Sequence, residues 1–391
     1  MSIDKAFYDK IMQSMCADTF EVVYWDKEVK KYGEGETKFR LLINEPIPKK
    51  EIISDPSMAL GEGYMHNKID IEGSVQKFIE SVYRNQGSFL YDKKAYIKLA
   101  HRLSTTLRKS KEDIQHHYDI GNDFYRLWLD ETMTYSCAYF ESQDDSLEQA
   151  QKNKVLHILR KLSLKPGQTL LDIGCGWGEL ILTAAKMYQV KALGVTLSTE
   201  QYTRVKERIK EEQLEPLVEV EQIDFRELKG RTFDRVVSVG MIEHVGKENL
   251  NGYFTNVKAF LKDGGISLLH SITAYEEAGT NSWMYKYIFP GGYIPAVQEI
   301  ATLLAANQFY LTDAESLREH YTKTLEHWAS NFEKALPEIR KMKDEIFIRM
   351  WRLYLNACAA SFHCGNIDVH QFVFTKGVNN ELPLTRRFIY C

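Results

Sequence analysis

The run LLDIGCGWG (Leu170–Gly178) joins an apolar stretch to a helix-forming one through Gly174, Gly176 and Gly178. Glycines at such a turn let the backbone bend tightly and approach a ligand with no Cβ in the way. The spacing alone does not choose the ligand, because dinucleotide enzymes use related turns. Three neighbouring features narrow it. Asp172, two residues before the first glycine, can face a cationic amino-acid portion. The second strand is followed by Thr196, Ser198 and Gln201, hydroxyls and an amide in place of a clear ribose-binding acid. The third ends in Asp224–Phe225, an acid and an aromatic suited to hydrogen-bonding and stacking on adenine. Cys175 reads as a small inert thiol of the turn, and Trp177 as packing.

This ordered set resembles the cofactor pattern of class I methyltransferases, departing from its commonest version in the missing acid after the second strand. Four further pieces carry reactive side chains: YSCAYF (Tyr135–Phe140), MIEHVG (Met241–Gly246), LHSIT (Leu269–Thr273) and HYTKTLEHW (His320–Trp328). With the upstream HHYDIGNDFYRLWLDETMTYSCAYF and the glycine turn, they resemble the cyclopropane-fatty-acyl-phospholipid synthases. The mycolic-acid cyclopropane synthases and methyltransferases are the nearest neighbours of that family. The resemblance runs from about Ile114 to the C-terminus, and the layout with an N-terminal domain is similar to the bacterial phospholipid enzymes.

The resemblance implies S-adenosylmethionine as one-carbon donor, an unsaturated phospholipid as acceptor, and a bound bicarbonate ion as base. A cis alkene is a poor nucleophile, so the sulfonium methyl must lie in line with it and away from water. Methyl transfer leaves a carbocation, and ring closure needs a base that does not capture it. By the same resemblance Cys137, Glu243, His270, Ile272 and Tyr321 surround the bicarbonate, while Tyr135 and Ser136 contact the cofactor. Glu243 is expected to orient His270 and hold it protonated, and Cys137 to form a wall with its thiol intact. Taken singly these residues have blander roles: Glu243 a cap, His270 a satisfied core histidine, Tyr321 plain core. His244 reads as structural, and His116 and His117 lack the further ligands a metal would need. Methylation of another lipid or small molecule, and a binding scaffold without catalysis, are the competing functions.

From about residue 150, strand-like runs alternate with amphipathic helices, which implies right-handed βαβ crossovers and a parallel sheet covered on both faces. The fold class is therefore α/β, a Rossmann-like class I S-adenosylmethionine-dependent methyltransferase domain with a smaller N-terminal α+β accessory domain. The expected boundaries are 1–90 for the accessory, lipid-associated domain, 91–113 for a basic amphipathic linker helix, and 114–391 for the catalytic domain. After Ile272 the alternation stops. An aromatic and apolar insertion, about 279–308, is expected to cover an acyl chain, and long helices run from His327 to about Cys364.

A net charge of −4 gives no global attraction to nucleic acid, so binding to anions must come from local clusters such as Lys94, Lys98, Arg102 and Lys109. No run of about 18 apolar residues occurs, and MSIDKAFYDKIMQ lacks the apolar core of a signal peptide. Six cysteines without CxxC pairs favour reduced thiols. The expectation is a cytoplasmic enzyme held peripherally at the inner face of the membrane, with a homodimer suggested by the resemblance.

Overall fold

The computed structural model describes residues 3–85, 121–277 and 281–390. The basic stretch 91–113, His116 and His117 lie outside them. Two compact units divide the chain.

The first holds the described residues of 1–102, 278–290 and 325–366. Its sheet is formed by β1 (Phe20–Val23), β2 (Val29–Tyr32), β3 (Phe39–Ile43) and β4 (Ile69–Glu72) in the order β2-β1-β3-β4. Phe39, Leu41 and Ile43 alternate into a core with Phe20, Val22 and Tyr64. DPSMALGEGYMHNKIDIEGS, rich in Gly, Asp and Asn with short strand-like pieces, holds the strand β4 and, before it, the helix Pro56–Met65, started by the Asp55 carboxylate accepting from Met58 N–H. Gly61 lets that helix meet Trp283, since a Cβ there would sit 2.2 Å from the indole. Two stretches expected in the catalytic domain thus pack here. One is 281–290, through Trp283 and the Tyr287 hydroxyl on Glu62 (2.6 Å); the other is helix Glu345–His363, whose Arg349 reaches Asp70 (3.0 Å). Residues distant in sequence complete the small core, which composition cannot reveal.

The second unit holds the described residues of 103–277, 291–324 and 367–391. Its sheet comprises β5 (Thr169–Ile173), β6 (Lys191–Thr196), β7 (Val218–Gln222), β8 (Phe233–Val239), β9 (Leu261–Ala274), β10 (Phe309–Ser316) and β11 (Ile367–Lys376), in the order β10-β11-β9-β8-β5-β6-β7. The strands from β5 to β9 are parallel, as the alternation requires. β11 enters antiparallel between β9 and β10, so the sheet is mixed rather than wholly parallel. β10 gives no sequence signal because, as an edge strand, it buries Phe309 and leaves Tyr310 and Leu311 exposed.

Both faces are covered. Leu171, Ile173 and Val236 pack on Phe254 and Val257 of helix Leu250–Phe260 and on Ile300 and Leu304 of helix Val297–Ala306. Leu170, Val237 and Leu268 pack on Ile158 and Leu159 of helix Leu147–Lys161, with Ile181 and Val205 from the next two helices. Part of the insertion expected over an acyl chain is therefore a core helix of this unit.

Candidate active site

Strand order reverses at β5, with β6 on one side and β8 on the other; open α/β sheets bind ligands at the carboxyl ends beside such a switch. A cavity opens there. Its wall includes Tyr135, Ser136, Asp172, Gly174, Gly176, Thr196, Gln201, Asp224 and Phe225. Gly174 has φ +84°, and a Cβ on it would lie 2.9 Å from Met241 Cγ, so only glycine fits that turn. Thr196 donates its hydroxyl proton to Gln201 Oε1 (2.7 Å), fixing the two groups expected at a ribose.

Gly178 and Ser198 stand behind the wall. Gly178 opens helix Glu179–Tyr188 at φ +88°, against Val205. Ser198 is buried and caps helix Thr199–Glu211 by accepting from Gln201 N–H. Both shape the site without facing it. Asp224, expected to be open to adenine, is gripped by Arg226, whose Nε and Nη2 donate to its two oxygens at 2.9 and 2.7 Å. Phe225 keeps an edge on the cavity while packing on Tyr253.

The end near Asp172 is electrostatically unusual. Burial pushes the Asp172 carboxyl up to about 7, against the pull of Lys154, and its buried Oδ1 has no hydrogen-bond partner among the described residues. Lys154, from helix Leu147–Lys161, lines the same cavity, is 3% exposed, and donates to Ser136 Oγ at 2.9 Å. Burial lowers it to about 8. Behind Tyr135 stand the rings of Tyr125 and Trp128, both at 5.5 Å, which explains the aromatic spacing of the upstream motif. Trp177 is more than packing: it lines the cavity and donates to Asn122 Oδ1 (2.9 Å).

The second constellation gathers at the ends of β8, β9 and β11. Glu243 sits on the 3₁₀ turn Ile242–His244 that follows β8. Its Oε1 accepts from Ile272 N–H at 2.6 Å, while Oε2 is buried with no hydrogen-bond partner among the described residues. Burial raises its carboxyl to about 7. His270 lies opposite Gln371 in the β9–β11 register, and the Gln371 amide donates to its Nδ1 at 3.2 Å. Burial lowers His270 to about 3, so the imidazole is neutral, with its proton on Nε2. Two expectations are corrected here. Among the described residues Gln371, not Glu243, orients the histidine, and burial disfavours its protonated form. Ile272, expected beside the anion, has its N–H engaged by Glu243.

Cys137 and Tyr321 join this group through Leu317. Cys137 Sγ lies 3.9 Å from Leu317 O, which also accepts from Tyr321 N–H at 3.1 Å, and Leu317 N–H donates to Val369 O, the register partner of Ile272. The two constellations are neighbours, since the Lys154 charge acts on Asp172, Cys137 and His270 alike. His244, from the Glu243 turn, lines the cofactor cavity; burial lowers it to about 4. Sequence reasoning missed Lys154, Gln371 and Tyr293, whose backbone N–H donates to Glu243 O at 2.9 Å. One signal existed: Gln151 and Lys154 share a helical face with Val155 and Ile158, polar residues on an apolar stripe.

Residues 105–372 match the mycolic acid cyclopropane synthetase family. This chain belongs to that family. Residues 7–94 match a domain of unknown function (DUF7884). The cyclopropane-fatty-acyl-phospholipid synthase of Escherichia coli strain K12 is 38% identical over 358 residues, covering 90% of this chain and 92% of that protein. A probable fatty acid methyltransferase of Pseudomonas putida is also 38% identical, over 361 residues, covering 90% and 91%. Among solved structures, the cyclopropane synthase MmaA2 from Mycobacterium tuberculosis superposes with a TM-score of 0.66 at 36% identity, covering 68% of this chain and 98% of that one. Coclaurine N-methyltransferase, at 20% identity, covering 81% and 97% of the two chains with a TM-score of 0.62, shares the fold alone. The Rossmann-like methyltransferase fold expected from the motifs is thus the fold of the family, and the chain is an enzyme of it.

In this family member Cys137 is unsuited to nucleophilic attack, because burial pushes its thiol above the ordinary range. Cys137→Ser is expected to keep turnover within roughly tenfold of the parent, whereas loss of a covalent nucleophile typically costs on the order of 10⁴-fold or more. Steady-state rates on the two proteins decide between these outcomes.

Proposed function

We propose that this enzyme is a cyclopropane-fatty-acyl-phospholipid synthase, which transfers a methylene from S-adenosylmethionine across the cis double bond of an unsaturated acyl chain. The observation that carries the proposal is a neutral imidazole and an unpartnered buried carboxylate oxygen, His270 and Glu243 Oε2, placed beside a cavity with the chemistry of that cofactor.

The cavity fits the cofactor. Asp172 Oδ1 is an acceptor awaiting an ammonium group, Gly174 and Gly176 allow close backbone approach, and Thr196 with Gln201 can receive the ribose hydroxyls. Bound there, S-adenosylmethionine would supply the electrophilic methyl. The second constellation fits a small hydroxylated anion: among the described residues Glu243 Oε2 has no hydrogen-bond partner, and His270 Nε2–H can donate. Cys137, Glu243, His270 and Tyr321 would surround bicarbonate, which when bound supplies a base. The chain's own contribution is orientation and dryness. Gln371 fixes the imidazole tautomer, Ile272 N–H and the Tyr293 N–H clamp the Glu243 turn, and burial keeps water from quenching a cation.

The enzyme is proposed to act as a peripheral homodimer at the cytoplasmic membrane face, with the basic stretch 91–113 as a lipid contact. Among the described residues no helix is long and apolar enough to cross a membrane. A second proposal, simple methylation of a lipid, is favoured by the similarity to the Pseudomonas putida protein. One experiment separates them: cis-monounsaturated phospholipid vesicles incubated with methyl-labelled S-adenosylmethionine in CO₂-depleted buffer, with and without bicarbonate, then mass spectrometry. Ring formation gives a gain of one CH₂ with loss of the olefinic signal, faster when bicarbonate is restored. A retained alkene supports methylation instead, and indifference to bicarbonate removes it from the mechanism.

A further inference from the structure

We propose that Lys154 is the cation that receives the carboxylate at the amino-acid end of the cofactor, with Asp172 receiving the ammonium. This rests on the assignment of the cavity to S-adenosylmethionine and adds a residue and a charge preference to it.

The charges lining the cavity divide cleanly. Glu179 is spent on Arg208 (2.7 Å), and Asp224 on Arg226. Asp130, close to Lys154, uses its oxygens on the N–H groups of Thr132 (3.0 Å) and Thr134 (2.9 Å). That leaves Asp172 and Lys154. Both are almost wholly buried and both face the cavity, yet among the described residues no hydrogen bond or ion pair joins them. Lys154 donates to a hydroxyl only, Ser136 Oγ at 2.9 Å, and Asp172 keeps an unpartnered Oδ1. Burying two opposite charges near each other without pairing them is costly. A zwitterion set between them would satisfy both, with the Ser136 hydroxyl free to donate to the same carboxylate once Lys154 donates to its oxygen. The amino-acid end of S-adenosylmethionine is such a zwitterion; Ser136 stands beside Lys154, and Asp224 and Phe225 follow β7, two strands away from Asp172 on β5.

The test is calorimetric binding of S-adenosylhomocysteine and of its decarboxylated form, which keeps the amine and nucleoside. Wild type should bind S-adenosylhomocysteine roughly 10- to 100-fold more tightly, the range for a charged hydrogen bond. Lys154→Met should lose that preference by weakening S-adenosylhomocysteine alone. Equal weakening of both ligands would assign Lys154 a purely structural role and overturn the proposal. Should the variant not fold, wild type decides by pH. Lys154, faced by Asp130, Cys137, Asp172 and Glu179, titrates near 8 in the empty site, so the preference should fall as pH rises from about 7 to 9.5. A ratio near one, or one independent of pH, overturns it. Failure of wild type to bind either ligand would instead overturn the cofactor assignment itself.

Discussion

Glu243→Gln is expected to lower turnover by roughly 10- to 100-fold, the range for losing a charged hydrogen bond to the anion that supplies the base, while leaving cofactor binding nearly unchanged. The amide oxygen can still accept from Ile272 N–H, so the turn after β8 keeps its anchor. What disappears is the negative charge and the free acceptor at Oε2, where an NH₂ would now point a donor into the site. The same substitution should stabilise the protein at alkaline pH. Burial raises the Glu243 carboxyl from 4.5 to about 7, so the folded state holds this proton more tightly than the unfolded state. That contribution is fully present below the unfolded value and is lost as pH rises through about 7. At pH 8 the charged, buried carboxylate costs wild type up to about 3 kcal/mol, and Gln avoids it. Thermal unfolding at about pH 5 and pH 8, with steady-state rates alongside, tests both halves. Equal melting differences at the two pH values, or an unchanged rate, would defeat this assignment.

Asp172→Asn should weaken S-adenosylhomocysteine binding by roughly 10- to 100-fold, since the amide cannot counter an ammonium charge. The accompanying pH dependence is the sharper measurement. In the empty cavity the Asp172 carboxyl is raised to about 7, so below neutrality an increasing share of molecules carries the neutral acid. Binding a cation favours the carboxylate. Wild-type affinity should therefore peak between about pH 7 and 8, above the Asp172 value and below the Lys154 one, and decline by at most about tenfold per pH unit below that window. In Asp172→Asn that decline should vanish. A flat profile for wild type between about pH 5.5 and 8 would mean that Asp172 does not face the ligand's charge.

Both predictions depend on burial, which the sequence expresses unevenly. The glycine turn was legible because its geometry is local: three glycines, a preceding acid and a following helix lie within nine residues, and the positive φ at Gly174 and Gly178 follows from the turn itself. Thr196 and Gln201 were legible for the same reason, as the end of one strand and the first turn of the next helix. Ser198 shows the limit. Its type suited a ligand contact as well as a helix cap, and only the structure assigned it to the cap.

The residues that act across the sheet were not legible. Gln371 meets His270 through a register between strands about a hundred residues apart, and no local pattern records which residue will stand opposite. Lys154 sits on a helix that looks solvent-facing in its charges until the sheet covers it. The state of His270 depends wholly on tertiary burial, which lowers its pKa and leaves it neutral where pairing with Glu243 was expected to hold it protonated. The sequence by itself therefore determined the fold class and the family and proposed candidate side chains for the site, because these follow from short-range periodicity and motif. Only the tertiary structure decided how those side chains pair and which of them carry charge, because desolvation and long-range register exist only after the chain has folded.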